Sequence, residues 1–219
     1  MNLYTSDLHF GHRNVISFDH RPFIDVDEMD HTIISLWNSR VSNDDDVYVI
    51  GDFSFKSDRE YSWYLQQLKG HKHLVIGNHD RPMMQDARAL SYFESVEHLA
   101  YVQDVYEHEH IDVFLCHYPL ATWNRAKWGS WHIYGHIHGN RDEVSEYMSR
   151  QPHALNAWCG LTNWTPASFR ELVEANRRYY GTQFSIQDSK HGISMLIPAS
   201  LSVTNCMSRG ISSSESVDN

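Results

Sequence analysis

Short islands of aspartate, histidine and asparagine punctuate the first two thirds of this chain, and each follows a short apolar run. Asn2-Leu3-Tyr4-Thr5 leads to Asp7-Leu8-His9, Val47-Tyr48-Val49-Ile50 to Gly51-Asp52, and Leu74-Val75-Ile76 to Gly77-Asn78-His79-Asp80. Ile111 to Cys116 leads to the lone His117, and Ile133-Tyr134 to Gly135-His136-Ile137-His138. Apolar runs this short, rich in β-branched and aromatic residues, predict strands. Ligand-type side chains repeated at strand ends predict a metal centre on one edge of a sheet, because α/β sheets place their sites at the carboxyl ends of strands. The fold is therefore constrained to bring several strand ends together.

Composition bounds the rest. A chain of 219 residues, 41% apolar and 13% aromatic, suits one globular domain with a sizeable core. Sixteen histidines are an excess, since an average chain of this size carries about five. The net charge of −10 and the lack of a lysine- or arginine-rich stretch argue against an extended nucleic-acid-binding face. They leave room for a nucleotide held through metals. Cys116, Cys159 and Cys206 are odd in number and lack disulfide or zinc spacing, so they read as small buried residues in a reducing compartment. No apolar window suggests a membrane span. Asp7 and His9 arrive too early to follow a signal peptide, so a cytoplasmic location is expected, with the oligomeric state left open.

The first half alternates strands with helical patterns, an α/β texture. Asp25 and Glu28 form a capping box opening a helix over 25–39, with Met29, Ile33, Ile34, Leu36 and Trp37 as its apolar stripe. Ser57 and Glu60 repeat the pattern and predict a helix over 58–69 that ends at Gly70. A third, short helix is expected over 82–90. Leu99 to Val102 and Ile111 to Leu115 flank the polar Glu107-His108-Glu109-His110, which predicts a hairpin. Strands are expected at 131–134 and 154–158, and a last helix from Ser168 to Arg178. Domain 1–180 is thus followed by a serine-rich extension, 181–219, expected to be disordered toward its end.

Taken singly, each island has an ordinary explanation. Gly-Asp after a strand is most often a turn or a cap, and His117 alone would more often be structural. The Asp44-Asp45-Asp46 run reads as a polar turn, and His71 to His73 and Glu107 to His110 as routine strand-entry and hairpin polarity. Together the islands supply two carboxylates, one amide oxygen and four imidazoles besides His79. That is too many ligands for one ion and suits two ions sharing a bridging carboxylate. Imidazole with carboxylate favours a transition metal over Ca²⁺ or Mg²⁺ alone. On an extended segment, Asp7 and His9 would point to the same side.

The ordered set Asp-x-His, Gly-Asp, Gly-Asn-His-Asp, His, Gly-His-x-His resembles the calcineurin-like metallophosphoesterase superfamily. Thr5 to His12 and Gly77 to Pro82 are similar to its small bacterial and phage phosphoesterases, and the resemblance covers residues 2 to about 170. It implies a four-layer α/β/β/α sandwich with mixed sheets. It also implies two metal sites, one of Asp7, His9, Asp52 and His138, the other of Asp52, Asn78, His117 and His136. Manganese is the first choice of ion, with iron, nickel and zinc also compatible. In such a centre two cations would activate a bridging hydroxide, His79 would act as general acid, and Asp80 would orient the His79 ring. Asn78, Arg81 and His12 are the candidates for contact with the substrate phosphate, and Arg81 could instead pair with Asp86. Trp123, Trp128 and Trp131 could stack on a substrate ring, although packing within their own loop is favoured. In place of the subfamily's usual acidic strand, this chain reads Asn156-Ala157-Trp158-Cys159-Gly160.

The implied function is hydrolysis of phosphate esters, with phosphodiesters or small nucleotides favoured. The alternatives are a phosphomonoesterase, such as a nucleotidase or protein phosphatase, and a non-catalytic metal-binding scaffold of the same fold. His79 separates enzyme from scaffold. A single structural zinc site fails on ligand count and on the absence of cysteine ligands.

Overall fold

The computed structural model describes residues 1–181, so the extension expected over 181–219, with Cys206, lies outside the described residues apart from Gly181. Among the described residues, nine strands form two mixed sheets. The first contains β1 (Asn2–Thr5), β2 (Asp46–Ile50), β3 (His71–Val75), β4 (Phe93–Glu97) and β9 (Ala167–Ser168), in the order β4-β3-β2-β1-β9. Its first four strands are parallel, and β9 pairs antiparallel with β1. The second contains β5 (Leu99–Tyr106), β6 (Glu109–Cys116), β7 (Trp131–Tyr134) and β8 (Ala154–Asn156), in that order. There the β5–β6 hairpin is antiparallel, and β6, β7 and β8 run parallel. The parallel strands of both sheets deliver their carboxyl ends, and the islands, to one region.

Alternation along the strands divides the core. Leu3, Val47, Val49 and Leu74 face the helices α2 (Val26–Arg40) and α3 (Tyr61–Leu65), meeting Met29, Ile33, Trp37 and Tyr64. Their neighbours Tyr4, Ile50 and Val75 point the other way, into Val113 and Leu115 of β6, Ile133 of β7 and Leu155 of β8. The helix α6 (Phe169–Tyr180) adds Phe169, Leu172 and Val173 to this second cluster. A third, smaller cluster joins Met148 of α5 (Glu143–Ser149) to Tyr134, Ile137 and Ala154. A side chain as large as the fully buried Trp37 contributes about 2–3 kcal/mol by leaving water.

Asp25 caps α2 by accepting from the Glu28 amide, but the Glu28 carboxylate reaches back to the Ile24 amide rather than to that of Asp25. Ser168 and Glu171 do form a full capping box on α6. The hairpin turns at Glu107 and His108, both at positive φ, the backbone of a tight turn matched to strand twist.

Three expectations need correction. The helix expected over 58–69 is only Tyr61–Leu65: Ser57 accepts from the Arg59 amide instead of capping a helix. At its other end, the Lys69 amide that would continue the helix donates instead to Asn38 Oδ1 of α2 at 3.0 Å, while Trp37 and Asn38 donate to Lys69 O and Gln67 O. The stretch 82–90 splits into a 3₁₀ turn, Met83–Gln85, and the helix α4 (Ala87–Leu90), because Asp86 turns extended and caps α4 through the Arg88 and Ala89 amides. The strand expected over 154–158 stops at Asn156. The sequence reading also missed β4, α5 and the short helix α1 (Val15–Phe18). Cys116 and Cys159 are buried free thiols, as expected. No helix among the described residues is long and apolar enough to cross a membrane.

His132 on β7 makes the core sensitive to acid. Its ring is fully buried, with Nδ1 3.2 Å from Phe114 O and Nε2 accepting from the Leu120 amide at 3.3 Å. The neutral ring donates to Phe114 O and accepts from the Leu120 amide, and burial pushes its pKa down to about 4 although the Phe114 and Tyr118 carbonyls favour the proton. The unfolded chain takes up the proton near pH 6.5, the fold only near 4. Stability from this group is therefore full above about pH 6.5 and falls by up to about 3 kcal/mol as the pH drops to 4. Urea titrations across this window should show a shallower acid loss in His132→Gln than in the wild type; equal slopes would remove His132 as the cause.

Candidate metal centre

The ligand-type residues sit one to four positions past their strands, where the backbone turns sharply. Asp7, His9, Asp52, His136 and His138 all adopt positive φ, between 49° and 72°. A run of such residues is uncommon outside functional sites, since each costs of order 1–3 kcal/mol. Asp7 and His9 therefore do not lie on an extended segment, as their spacing predicted. They still converge, because Leu8 and Phe10 between and after them are fully buried in the helix-side core. Two glycines are sterically required. A Cβ on Gly51 would lie 2.2 Å from His117 Nδ1, and one on Gly77 would lie 2.4 Å from Asp52 Oδ1.

All seven residues proposed from sequence as ligands are brought together. Asp7, His9, Asp52 and His138 offer ligand atoms within 4.8 Å of one another, a set that could hold a metal ion. His9 Nε2 lies 3.1 Å from His138 Nε2 and 3.6 Å from Asp52 Oδ2, and His138 Nε2 lies 3.5 Å from Asp7 Oδ1. On the other side of Asp52, the same Oδ2 is 3.5 Å from His117 Nε2. Asn78 Oδ1 lies 3.0 Å from His117 Nε2 and 2.9 Å from His136 Nδ1.

The donor chemistry fits a cation. His117 Nδ1 faces Ile50 O at 2.9 Å and His138 Nδ1 faces the Asp19 carboxylate at 2.8 Å, so in both rings the proton belongs on Nδ1. Their Nε2 lone pairs then point at other acceptors, an arrangement that repels itself unless positive charge sits between them. Burial, reinforced by the neighbouring His138, holds His9 well below the usual histidine range. His136 is lowered too, chiefly by burial. Burial alone would lower His138, but the Asp19 hydrogen bond and the Asp7 charge raise it overall. Burial pushes the Asp52 carboxyl up, partly offset by His117.

Asp80 does not orient the His79 ring. It is 1% exposed, and its oxygens accept from the amides of Asp52 and Gly77 at 2.8 Å and of Phe53 at 2.9 Å. Its carboxylate thus ties the loop after β2 to the loop after β3, and burial raises it to about 6 despite those amides. The His79 ring instead packs on Phe55, with centroids 4.0 Å apart, while its amide donates to Asp52 Oδ1 at 2.9 Å.

The sequence reading missed a buried pair that supports the centre. Arg21 donates to the carbonyls of Asp7 and Leu8 at 2.9 and 2.8 Å and to Asp19 Oδ2 at 2.9 Å, so it grips the first ligand loop. Asp19 in turn holds His138, the carboxylate–histidine pairing that fixes a metal ligand's ring. Burial would raise Asp19, yet its bonds to His138 and Arg21 lower it. Asn156, fully buried, donates to His138 O at 2.8 Å, so this stretch without an acidic residue still supports the second sheet's ligands. The signal available in sequence was the cluster Asp19-His20-Arg21-Pro22-Phe23, polar residues just after the first island.

His12 lines a cleft of about 570 Å³ beside His9, His79 and His138, whereas Arg81 is exposed and lines neither cleft that reaches His79. Asp86 caps α4 and does not pair with Arg81. Trp131 is buried in the second core and Trp123 bonds to Ser130 O, while Trp128 is 77% exposed and away from the centre. His71 and His73 face Glu94, Ser95 and Asp46, outside the site.

The fold and the site together define a mixed α/β protein in which two sheets gather a buried aspartate–histidine cluster able to hold a metal. The chain belongs to the family of the mycobacteriophage gene 66 proteins. It is 30% identical over 185 residues to the gene 66 protein of Mycobacterium phage L5, covering 73% of this chain and 88% of that one. An uncharacterized protein of Methanocaldococcus jannaschii is 28% identical over 171 residues, 77% of this chain and 87% of that one. Among solved structures, the protein of unknown function AQ665 from Aquifex aeolicus matches with a TM-score of 0.58 at 26% identity, covering 80% of this chain and 98% of that chain. No family model matches the chain.

Proposed function

We propose that the protein is a dimetal phosphoesterase acting on phosphodiesters or small nucleotides. The observation that carries this is the facing of unshared lone pairs on both sides of one carboxylate, Asp52, with the His79 ring alongside. Asp7, His9, Asp52 and His138 would hold one divalent ion, and Asp52, Asn78, His117 and His136 a second, manganese first among the candidates. The ordered motif set and its resemblance to calcineurin-like metallophosphoesterases support the same reading, as do the two mixed sheets with helices, and a four-layer α/β/β/α sandwich is part of the proposal. The buried thiols Cys116 and Cys159 suit a cytoplasmic setting.

When bound, two such ions supply Lewis acidity to phosphate oxygens and to the attacking water. The chain's own contribution is positional. Arg21 and Asp80 fix the ligand loops, Asp19 fixes the His138 ring, and Phe55 holds the His79 imidazole at the mouth of the cleft. His79 is placed to deliver a proton to the departing alkoxide, which otherwise leaves poorly.

The test is a substrate panel with the manganese-loaded protein: bis-p-nitrophenyl phosphate, p-nitrophenyl phosphate, cyclic nucleotides and short oligonucleotides. Hydrolysis that disappears on chelation is expected; two bound ions with no hydrolysis of any substrate would defeat the reading. In His79→Asn both ions should remain, while kcat on an alkyl diester falls by about 10²–10³. On an aryl diester, whose leaving group needs no proton, the fall should be much smaller. Equal losses on both would remove His79 as the acid.

A further inference from the structure

Among the described residues, a larger and a smaller cleft open beside the cluster. The larger, of about 570 Å³, is lined by His9, His12, Phe18, Phe55, His79 and His138 among others. The smaller, of about 370 Å³, includes Ser57, Tyr61 and Pro82. Phe55, Lys56 and His79 line both, so these three residues form the wall between them. Only the larger cleft reaches the metal-ligand residues His9 and His138; the smaller meets the site through His79 alone. Both volumes fall in the range of about 300–1,000 Å³ that small-molecule sites occupy.

The two compartments differ in the chemistry they offer. The larger presents aromatic surface: Phe18 is 71% exposed at its rim, and the His12 ring lies between Phe55 and Phe18, with centroid distances of 4.8 and 6.3 Å. Cationic side chains stand at its edge in a chain of net charge −10. Arg13 is largely exposed, and Lys56 Nζ lies 5.1 Å from the Phe55 ring. Exposed aromatic faces beside cations suit a nucleobase joined to a phosphate.

We infer that the substrate is a two-armed phosphodiester, with its nucleoside arm in the larger cleft and its leaving arm in the smaller one. This rests on the phosphoesterase reading and extends it. A phosphate shared by both arms falls at the dividing wall, where His79, which lines both clefts, meets the oxygen that departs into the smaller one. The arm that stays on phosphorus lies on the side of His9 and His138. A monoester has one arm and would leave one cleft idle, so the partition favours diesters over monoesters. Phe18 is then a specificity residue for the retained arm.

The experiment compares two diesters that release the same p-nitrophenol, thymidine 5′-p-nitrophenyl phosphate and methyl p-nitrophenyl phosphate, using the full-length manganese-loaded protein. The expected kcat/KM ratio is about tenfold in favour of the thymidine ester, the scale of one stacked base, and it should fall toward one in Phe18→Ala. Calorimetry of thymidine 5′-monophosphate with the metal-free protein provides a readout that needs no turnover, with binding weakened about fivefold or more in Phe18→Ala. A wild-type ratio near one, or a ratio and affinity untouched by Phe18→Ala, overturns the cleft assignment. Steady hydrolysis of the methyl ester in that case leaves the phosphoesterase reading standing. If neither ester is hydrolysed, that reading falls, and nucleotide binding alone then upholds or overturns the larger cleft as a nucleoside site.

Discussion

Asp80→Ala is expected to lower the melting temperature by about 8–15 °C, a stability loss of about 3–5 kcal/mol in a domain of this size. The carboxylate is almost fully buried and accepts three backbone amides, from Gly77, Asp52 and Phe53. Its removal leaves three donors without partners in a space closed to solvent, and each such donor costs about 1–3 kcal/mol before relaxation. Asp80→Asn should fall between, because its amide oxygen replaces one acceptor while its NH₂ group faces a backbone N–H. Thermal scans of the metal-free protein decide the matter. A change of less than about 2 °C in Asp80→Ala would mean that the two loops hold their shape without it.

Asp52→Asn should keep the fold and lose the metals. The asparagine oxygen can still accept from the His79 amide, as Asp52 Oδ1 does at 2.9 Å. Its NH₂ group then occupies the position of Oδ2, which lies 3.6 Å from His9 Nε2 and 3.5 Å from His117 Nε2. A donor there engages the lone pairs that a cation would use, and one negative charge is gone from between the two sets of ligands. Bound manganese, measured by elemental analysis after dialysis, should drop from two ions per chain to a trace. Hydrolysis should fall on the order of 10³-fold or more, because Lewis-acid activation of water is lost with the ions. Two ions retained at unchanged affinity would show that Asp52 is not shared.

The ligand positions were legible in sequence for a local reason. A strand announces itself in four or five residues, and a ligand just past its end needs no knowledge of the rest of the chain. The strands β1, β2, β6 and β7 and the helix α2 were read on the same basis. What failed was non-local. The helix over 58–69 had good helical periodicity, yet Asn38, some thirty residues earlier, takes the Lys69 amide that would have continued it. The family resemblance paired Asp80 with His79, but the Asp80 oxygens accept from the amide of Gly77 on its own loop and from those of Asp52 and Phe53 on another. Arg21 and Asp19 were invisible because a buried arginine looks like any surface arginine until its acceptors, here the carbonyls of Asp7 and Leu8, are placed around it. The left-handed backbone at Asp7, His9, Asp52, His136 and His138 has only a weak signature, since aspartate and histidine are merely enriched there and none of these is glycine.

The cluster draws Asp7, Asp52 and Asn78 from the first sheet and His117, His136 and His138 from the second. His9 and His138, 3.1 Å apart in space, are 129 residues apart in the chain. Closing so long a loop is a late and entropically costly event. A chain emerging from the ribosome with only β1 to β4 made would hold Asp7, His9, Asp52 and Asn78 but none of His117, His136 and His138, so neither set would be whole. Under the proposed dimetal reading, metal loading would be a checkpoint on assembly: a chain whose two sheets have already met would pass it, and the ion would then clasp them together.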